Sequence, residues 1–107
     1  MTPAGGPAAG RVVVLLQRRL EPLAVRFLAN RRAEIAPLRE AAASADFDTL
    51  RRSAHDLKGL AGSLGFVELT KLGAALEGAA QRSDASEAKH LVESLADHLA
   101  SLRVDYL

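Results

Sequence analysis

One apolar seam in the middle of the chain constrains the fold more than any other feature. Its members recur at steps of three and four residues, which is the repeat of one face of an α-helix. They are Phe47, Leu50, Ala54, Leu57, Ala61 and Leu64. Asp46 precedes the seam as an N-cap residue, and Gly65 follows it as a C-terminal cap. The pattern therefore predicts a helix over residues 47–64 that buries one side in a core.

Three other segments carry similar stripes, and they predict helices near residues 22–44, 67–81 and 85–103. Arg31 interrupts the first stripe, and Pro37 removes a backbone donor there, so this segment forms either one bent helix or two. Short turns between long helices make successive helices antiparallel. The predicted fold is all-α, an antiparallel four-helix bundle.

The N-terminal part of the chain divides into two pieces. Residues 1–10 are rich in Gly, Pro and Ala, which predicts a disordered tail, and residues 11–107 then form a single domain. Val12–Leu20 has the propensity of a strand, but a lone strand has no partner in this bundle. We therefore expect an N-terminal helical extension from about Leu15. Whether it joins the bundle stays open, and Arg103–Leu107 either frays or packs back.

Composition excludes several classes of function. The net charge of +1 does not favour nucleic acid as the main partner, and the absence of cysteine removes thiolate metal sites and thiol nucleophiles. The apolar run Val12–Leu16 is too short for a signal peptide, and no stretch reaches the roughly 20 residues of a membrane span. No nucleotide-binding loop, Ser-His-Asp set or paired metal-binding helix motif occurs. We expect a cytoplasmic protein that binds neither nucleic acid, membrane nor metal.

His55 lies on the side of the central helix that faces away from the seam. Residues three, four and seven apart stack along a helix, which places Arg51, Lys58, Gly59 and Gly62 beside it. Each helical glycine costs about 1 kcal/mol relative to alanine. We interpret the two glycines, together with Arg51, as a docking surface for a partner that approaches the imidazole. Close packing between helices, or the end of a helix, is the alternative explanation for these glycines.

The residue types beside His55 suit phosphoryl chemistry. A neutral imidazole is nucleophilic at neutral pH, and Lys58 and Arg51 are placed to stabilise charge on phosphoryl oxygens. Ordinary solvated surface charge is the alternative for these two cations.

The run around His55 is specific enough to compare with known families. Its residues are Ala54-His55-x-Leu57-Lys58-Gly59, followed by Gly62, Gly65, Leu69, Leu72, Leu76 and Glu77. With Phe27-Leu28, Leu38 and Asp46-Phe47 upstream, the pattern resembles the histidine-containing phosphotransfer (HPt) domain of bacterial multistep phosphorelays, over roughly residues 20–102.

The resemblance implies an antiparallel four-helix bundle in which His55 accepts a phosphoryl group on Nε2 from a receiver-domain phospho-aspartate and passes it to another receiver domain. Lys58 would contact the phosphoryl group, Gly59 would leave space for the partner, and Glu77 would hydrogen-bond the histidine. The partners would be receiver domains of hybrid histidine kinases and response regulators, which would supply Mg²⁺. We expect a monomer that has no cofactor and is not an enzyme on its own, and the sequence leaves open whether the protein works alone or as a dimer.

Two alternatives remain open at this point. The dimerisation domain of sensor histidine kinases also carries a histidine on a helix with an acid beside it, as Asp56 stands here. That domain typically has a proline a few residues further on, and none follows His55 in this chain. A non-catalytic helical adaptor, in which the exposed histidine is incidental, is the other alternative.

Overall fold

The computed structural model describes residues 12–107, so the predicted tail over residues 1–10 lies outside the described residues. Four helices follow one another along the chain. They are α1 (Glu21–Ala43), α2 (Phe47–Leu64), α3 (Val67–Gln81) and α4 (Ala85–Ser101). A strand, β1 (Val12–Leu16), and a short 3-10 helix (Arg18–Leu20) precede α1, and a second strand, β2 (Leu102–Tyr106), follows α4. The predicted all-α four-helix bundle is confirmed, with a two-stranded ribbon added to it.

The helices close into a ring around one core. Each helix packs on the next along the chain, and α4 returns to pack on α1. The predicted seam of α2 faces this core, because Leu50, Ala54, Leu57 and Ala61 are buried. The largest fully buried side chains come from several elements and are Phe66, Leu50, Leu69, Leu76, Leu99 and Val92. Among residues 12–107, no helix is long and apolar enough to cross a membrane.

The ends of α2 are fixed by the predicted caps. The Asp46 carboxylate accepts hydrogen bonds from the Thr49 backbone N–H at 3.2 Å and from the Thr49 hydroxyl at 2.7 Å. These bonds, that of the hydroxyl first, lower the pKa of Asp46. Gly65 has a φ of +95°, the left-handed conformation that ends a helix most easily at glycine. The two caps fix the first and last residues of α2. Together with the buried seam, they determine which residues of α2 face the solvent.

The segment that contains Arg31 and Pro37 forms one helix, not two. It runs from Glu21 to Ala43 as one helix with Pro37 inside it. Pro37 is exposed, as is Ala33 four residues earlier, so the carbonyl that loses its donor is on the solvent side. Arg31 is buried, donates to Glu34 at 2.8 Å and lies 5.3 Å from the centre of the Phe27 ring. These contacts allow the charged Arg31 side chain to occupy a buried position within the apolar stripe of α1.

The expected N-terminal helical extension is wrong for residues 12–16, and only Arg18–Leu20 of the predicted extension is helical. Residues 12–16 form β1, which pairs in parallel with β2 from Val12↔Leu102 to Leu16↔Tyr106. The partner that the sequence pattern lacked is the C-terminal segment, which packs back on the fold. For the same reason α4 ends at Ser101, two residues before its predicted end.

Candidate functional site

His55 lies midway along α2 with 65% of its side chain exposed. Its neighbours Ala54 and Leu57 are buried at 1% and 2% exposure, because they belong to the seam. The caps at both ends of α2 and the buried seam together hold the helix in one rotation about its axis. The imidazole is therefore presented to solvent on a rigid element rather than on a loop.

A carboxylate on the next helix contacts the imidazole. The Glu77 side chain on α3 is only 13% exposed, and its Oε2 lies 2.9 Å from Nδ1 of His55. A carboxylate is purely an acceptor, so Nδ1 carries the hydrogen and donates it. In the neutral ring the lone pair then lies on Nε2, the nitrogen on the far side of the ring from Glu77. The arrangement prepares Nε2 as a nucleophile.

The second oxygen of Glu77 binds Lys58. The Lys58 ammonium donates to Oε1 at 2.6 Å, so one carboxylate links two residues of α2 that are one turn apart. These two hydrogen bonds, that of Lys58 first and that of His55 second, lower the pKa of Glu77 below its ordinary 4.5. The carboxylate is therefore ionised at neutral pH and remains an acceptor for both donors.

The lowered pKa predicts how this contact responds to acid. A carboxyl group with a depressed pKa stabilises the folded state above its unfolded value of 4.5, and this contribution is lost as the pH falls through the folded-state pKa. We expect the difference in melting temperature between the wild type and Glu77→Gln to be constant near neutral pH and to shrink below about pH 4.5. Thermal unfolding from pH 7 to pH 3 measures it. A difference that does not change with pH would contradict the ionised, doubly bonded carboxylate.

Gly73 is the residue that brings α3 close enough for Glu77 to reach α2. A Cβ on Gly73 would lie 2.9 Å from the backbone N of Lys58, 3.0 Å from its Cα and 3.1 Å from the carbonyl oxygen of Ala54. Only glycine permits this contact, and Glu77 stands one turn further along the same face of α3. Sequence reasoning missed Gly73; the available signal was a glycine between Leu69 and Leu76, four residues before the carboxylate.

The two glycines that the sequence analysis singled out border open space. A Cβ on Gly59 would meet no atom within 4 Å, and one on Gly62 would meet only the Thr70 hydroxyl, at 3.9 Å. Both positions are exposed. Close packing between helices therefore does not account for either glycine. Their place in a docking surface remains a prediction.

Arg51 is turned toward its own helix. Its guanidinium donates to Asp48 at 2.8 Å, and Arg52 pairs with the other oxygen of the same carboxylate at 3.0 Å. Exposed pairs of this kind contribute little to stability. The structure thus brings together His55, Lys58 and Glu77, but it pairs Arg51 with Asp48 instead.

An apolar groove between α1 and α2 was not anticipated from the sequence. Leu23 and Leu60 are 58% and 49% exposed at its rim, and Phe27 and Leu64 lie deeper in it. Leu60 follows Gly59 in the chain but lies about 100° further around α2, so the groove is on the side of α2 that faces α1. Within residues 12–107, no group of three or more His, Asp or Glu side chains is arranged to hold a metal ion.

Comparison with known proteins agrees with this geometry. The model of the Hpt domain family matches residues 23–105, a range that contains His55, Lys58, Gly73 and Glu77. Neither the curated proteins nor the solved structures compared with the chain gave a match. The family match covers most of the chain and nearly all of the four helices. The chain therefore belongs to the Hpt domain family, the histidine phosphotransfer modules of phosphorelays, which have no nucleotide site of their own.

Proposed function

We propose that His55 receives a phosphoryl group from the phospho-aspartate of one receiver domain and delivers it to the aspartate of another. The observation that carries this proposal is the contact between Nδ1 of His55 and Glu77, which in the neutral ring puts the lone pair on Nε2, the nitrogen on the side away from Glu77. In the forward step the Nε2–P bond forms as the aspartyl O–P bond breaks, and the aspartate leaves as a carboxylate. The proton on Nδ1 stays in place, where Glu77 stabilises the positive charge that develops on the ring.

Lys58 is proposed to bind the phosphoryl group once it has arrived. An ammonium group has three N–H donors, and Glu77 uses one of them in this structure. The remaining donors are available to phosphoryl oxygens on Nε2, one helical turn away. Glu77 thereby holds Lys58 in position as well as His55.

The docking surface proposed for the receiver consists of the glycine side of α2 and the apolar groove beside it. Gly59 and Gly62 leave open space, and Leu23 and Leu60 offer exposed apolar area. A relay partner must leave after transfer, so we expect a transient interface of about 1,200 Å² or less. The receiver domains proposed are those of a hybrid histidine kinase and of a response regulator, and the receiver supplies Mg²⁺.

The test is transfer from a purified receiver domain that carries a labelled phosphoryl group. We expect the label to move to this chain and to be stable in base and labile in acid, as a phosphorus–nitrogen bond at histidine is. Peptide mapping by mass spectrometry should then place it on His55, and adding a second, unlabelled receiver should remove it. A chain that takes up no label from any receiver would favour the adaptor. Label obtained only with an ATP-binding kinase domain would favour the dimerisation-domain alternative.

A further inference from the structure

The ribbon formed by β1 and β2 is only partly covered by the bundle. Its inner face buries Leu16 and Leu102, at 5% and 9% exposure, but four other apolar residues of that face are half-buried. These are Val12, Val14, Val104 and Tyr106. An isolated pair of strands is at best marginally stable in water. The ribbon therefore has more apolar surface than the bundle alone protects.

The two strands differ sharply on the outer face. Arg103 and Asp105 of β2 point outward and pair with each other at 3.0 Å. Opposite them on β1 stand Val13 and Leu15, which are 57% and 60% exposed. The β1 sequence, Val-Val-Val-Leu-Leu, contains no polar residue. A continuous apolar run of this kind is typical of a strand whose two faces are both covered.

The outer edge of β1 offers unpaired peptide groups. Leu107 N–H donates to the Leu16 carbonyl at 2.9 Å, which fixes the alternation along the strand. In a parallel pair, residues alternate between bonding to the neighbouring strand and pointing away from it. Val13 and Leu15 therefore direct their N–H and C=O groups to the outer edge. Within residues 12–107, these groups form no backbone hydrogen bond there. Proteins usually protect such an edge with charge or proline, and β1 has neither.

We propose that this edge pairs with β1 of a second copy of the chain. The two strands run antiparallel about a two-fold axis at Val14, giving a four-stranded sheet with the order β2-β1-β1-β2. Val13 of one copy then exchanges two hydrogen bonds with Leu15 of the other, and the symmetry repeats the pair. A second copy fits because the edge is uncharged and self-complementary, whereas the outward residues of β2 are charged.

The proposed dimer leaves the phosphotransfer site free. The Leu16 side chain lies 3.7 Å from where a Cβ on Gly65 would stand, so the ribbon sits at the C-terminal end of α2. His55 is about 15 Å from that end, at about 1.5 Å of rise per residue. Pairing of two five-residue strands falls at the small end of interfaces, so we expect weak, concentration-dependent association. The proposed dimer differs from the monomer that was expected from the sequence.

Charged variants of the edge test the proposal. One double variant carries Val13→Lys and Leu15→Lys, and the other carries Val13→Glu and Leu15→Glu. In the proposed register each places like charges directly opposite one another, which opposes pairing. The matched control is Val25→Lys, at a position on α1 that is 56% exposed. Circular dichroism checks that every variant remains helical.

The readout is sedimentation equilibrium at protein concentrations up to about 1 mM. Such concentrations are needed because an interface this small associates weakly. We expect the wild type and Val25→Lys to approach twice the monomer mass and both double variants to stay monomeric. An equimolar mixture of the two double variants should recover the dimer, because lysine then faces glutamate. A monomeric wild type, a dimer that survives in both double variants, or a mixture that stays monomeric would each overturn the proposal.

Discussion

The variant His55→Gln is expected to lose phosphotransfer completely while keeping its fold. The loss is total rather than partial because the atom that forms the bond to phosphorus is gone. The fold should survive because the side chain is 65% exposed, and exposed substitutions usually change stability by no more than about 0.5 kcal/mol. Glutamine also has an amide N–H₂ that can still donate to Glu77. Transfer of label from a phosphorylated receiver and thermal unfolding measure the two effects.

The control for this variant is His90→Gln, because His90 is an exposed histidine on α4, away from Glu77 and Lys58. It should take up label as the wild type does. If His55→Gln takes up as much label as the control, a different residue is the acceptor, and the assignment of His55 is wrong.

The variant Gly73→Ala is expected to weaken both the fold and the transfer reaction. Alanine gains about 1 kcal/mol in helix propensity over glycine. Against this, the new methyl group would overlap backbone atoms of Lys58 and Ala54, which cannot rotate away as a side chain can. Overpacking of this kind costs about 1–3 kcal/mol and is relieved only when α3 moves away from α2. We therefore expect a net loss of stability and a slower transfer, since Glu77 would move away from His55.

Gly78→Ala makes the same substitution five residues further along α3. A Cβ there would meet only the end of the flexible Arg82 side chain, at 3.1 Å, so the gain in helix propensity should dominate. Urea unfolding measures the stabilities, and NMR of the His55 ring nitrogens reports whether Nδ1 still carries the proton. If Gly73→Ala proves as stable and as active as Gly78→Ala, the close approach of the helices is not what positions Glu77.

The sequence was informative where a pattern is local. The seam of α2, its Asp46 and Gly65 caps and the exposed side on which His55 lies all follow from spacing along one helix. Gly73 escaped notice because a glycine has no side chain to mark a contact, and its role depends on the backbone of another helix. The β1 strand was missed because its partner begins at Leu102, far along the chain.

The role of Glu77 could be predicted only in part from the sequence. The resemblance marked its position as one that faces the histidine, but the sequence contained nothing about the second bond to Lys58. That bond depends on how closely α3 approaches α2, which Gly73 determines. A carboxylate that bonds two partners also explains why Lys58 is not simply a free surface cation, as spacing alone allowed.

The shared carboxylate has a consequence for the direction of the proposed relay. Glu77 contributes one negative charge, Lys58 contributes one positive charge, and the neutral imidazole contributes none, so the three groups sum to zero before the reaction. A site without excess positive charge has little electrostatic reason to retain a phosphoryl dianion. The charge of the site would then favour neither uptake nor release of the phosphoryl group, and in the proposed relay the phosphorylation state of the two receivers would determine the net flow. The module would act as a reversible exchange point rather than as a store of phosphate.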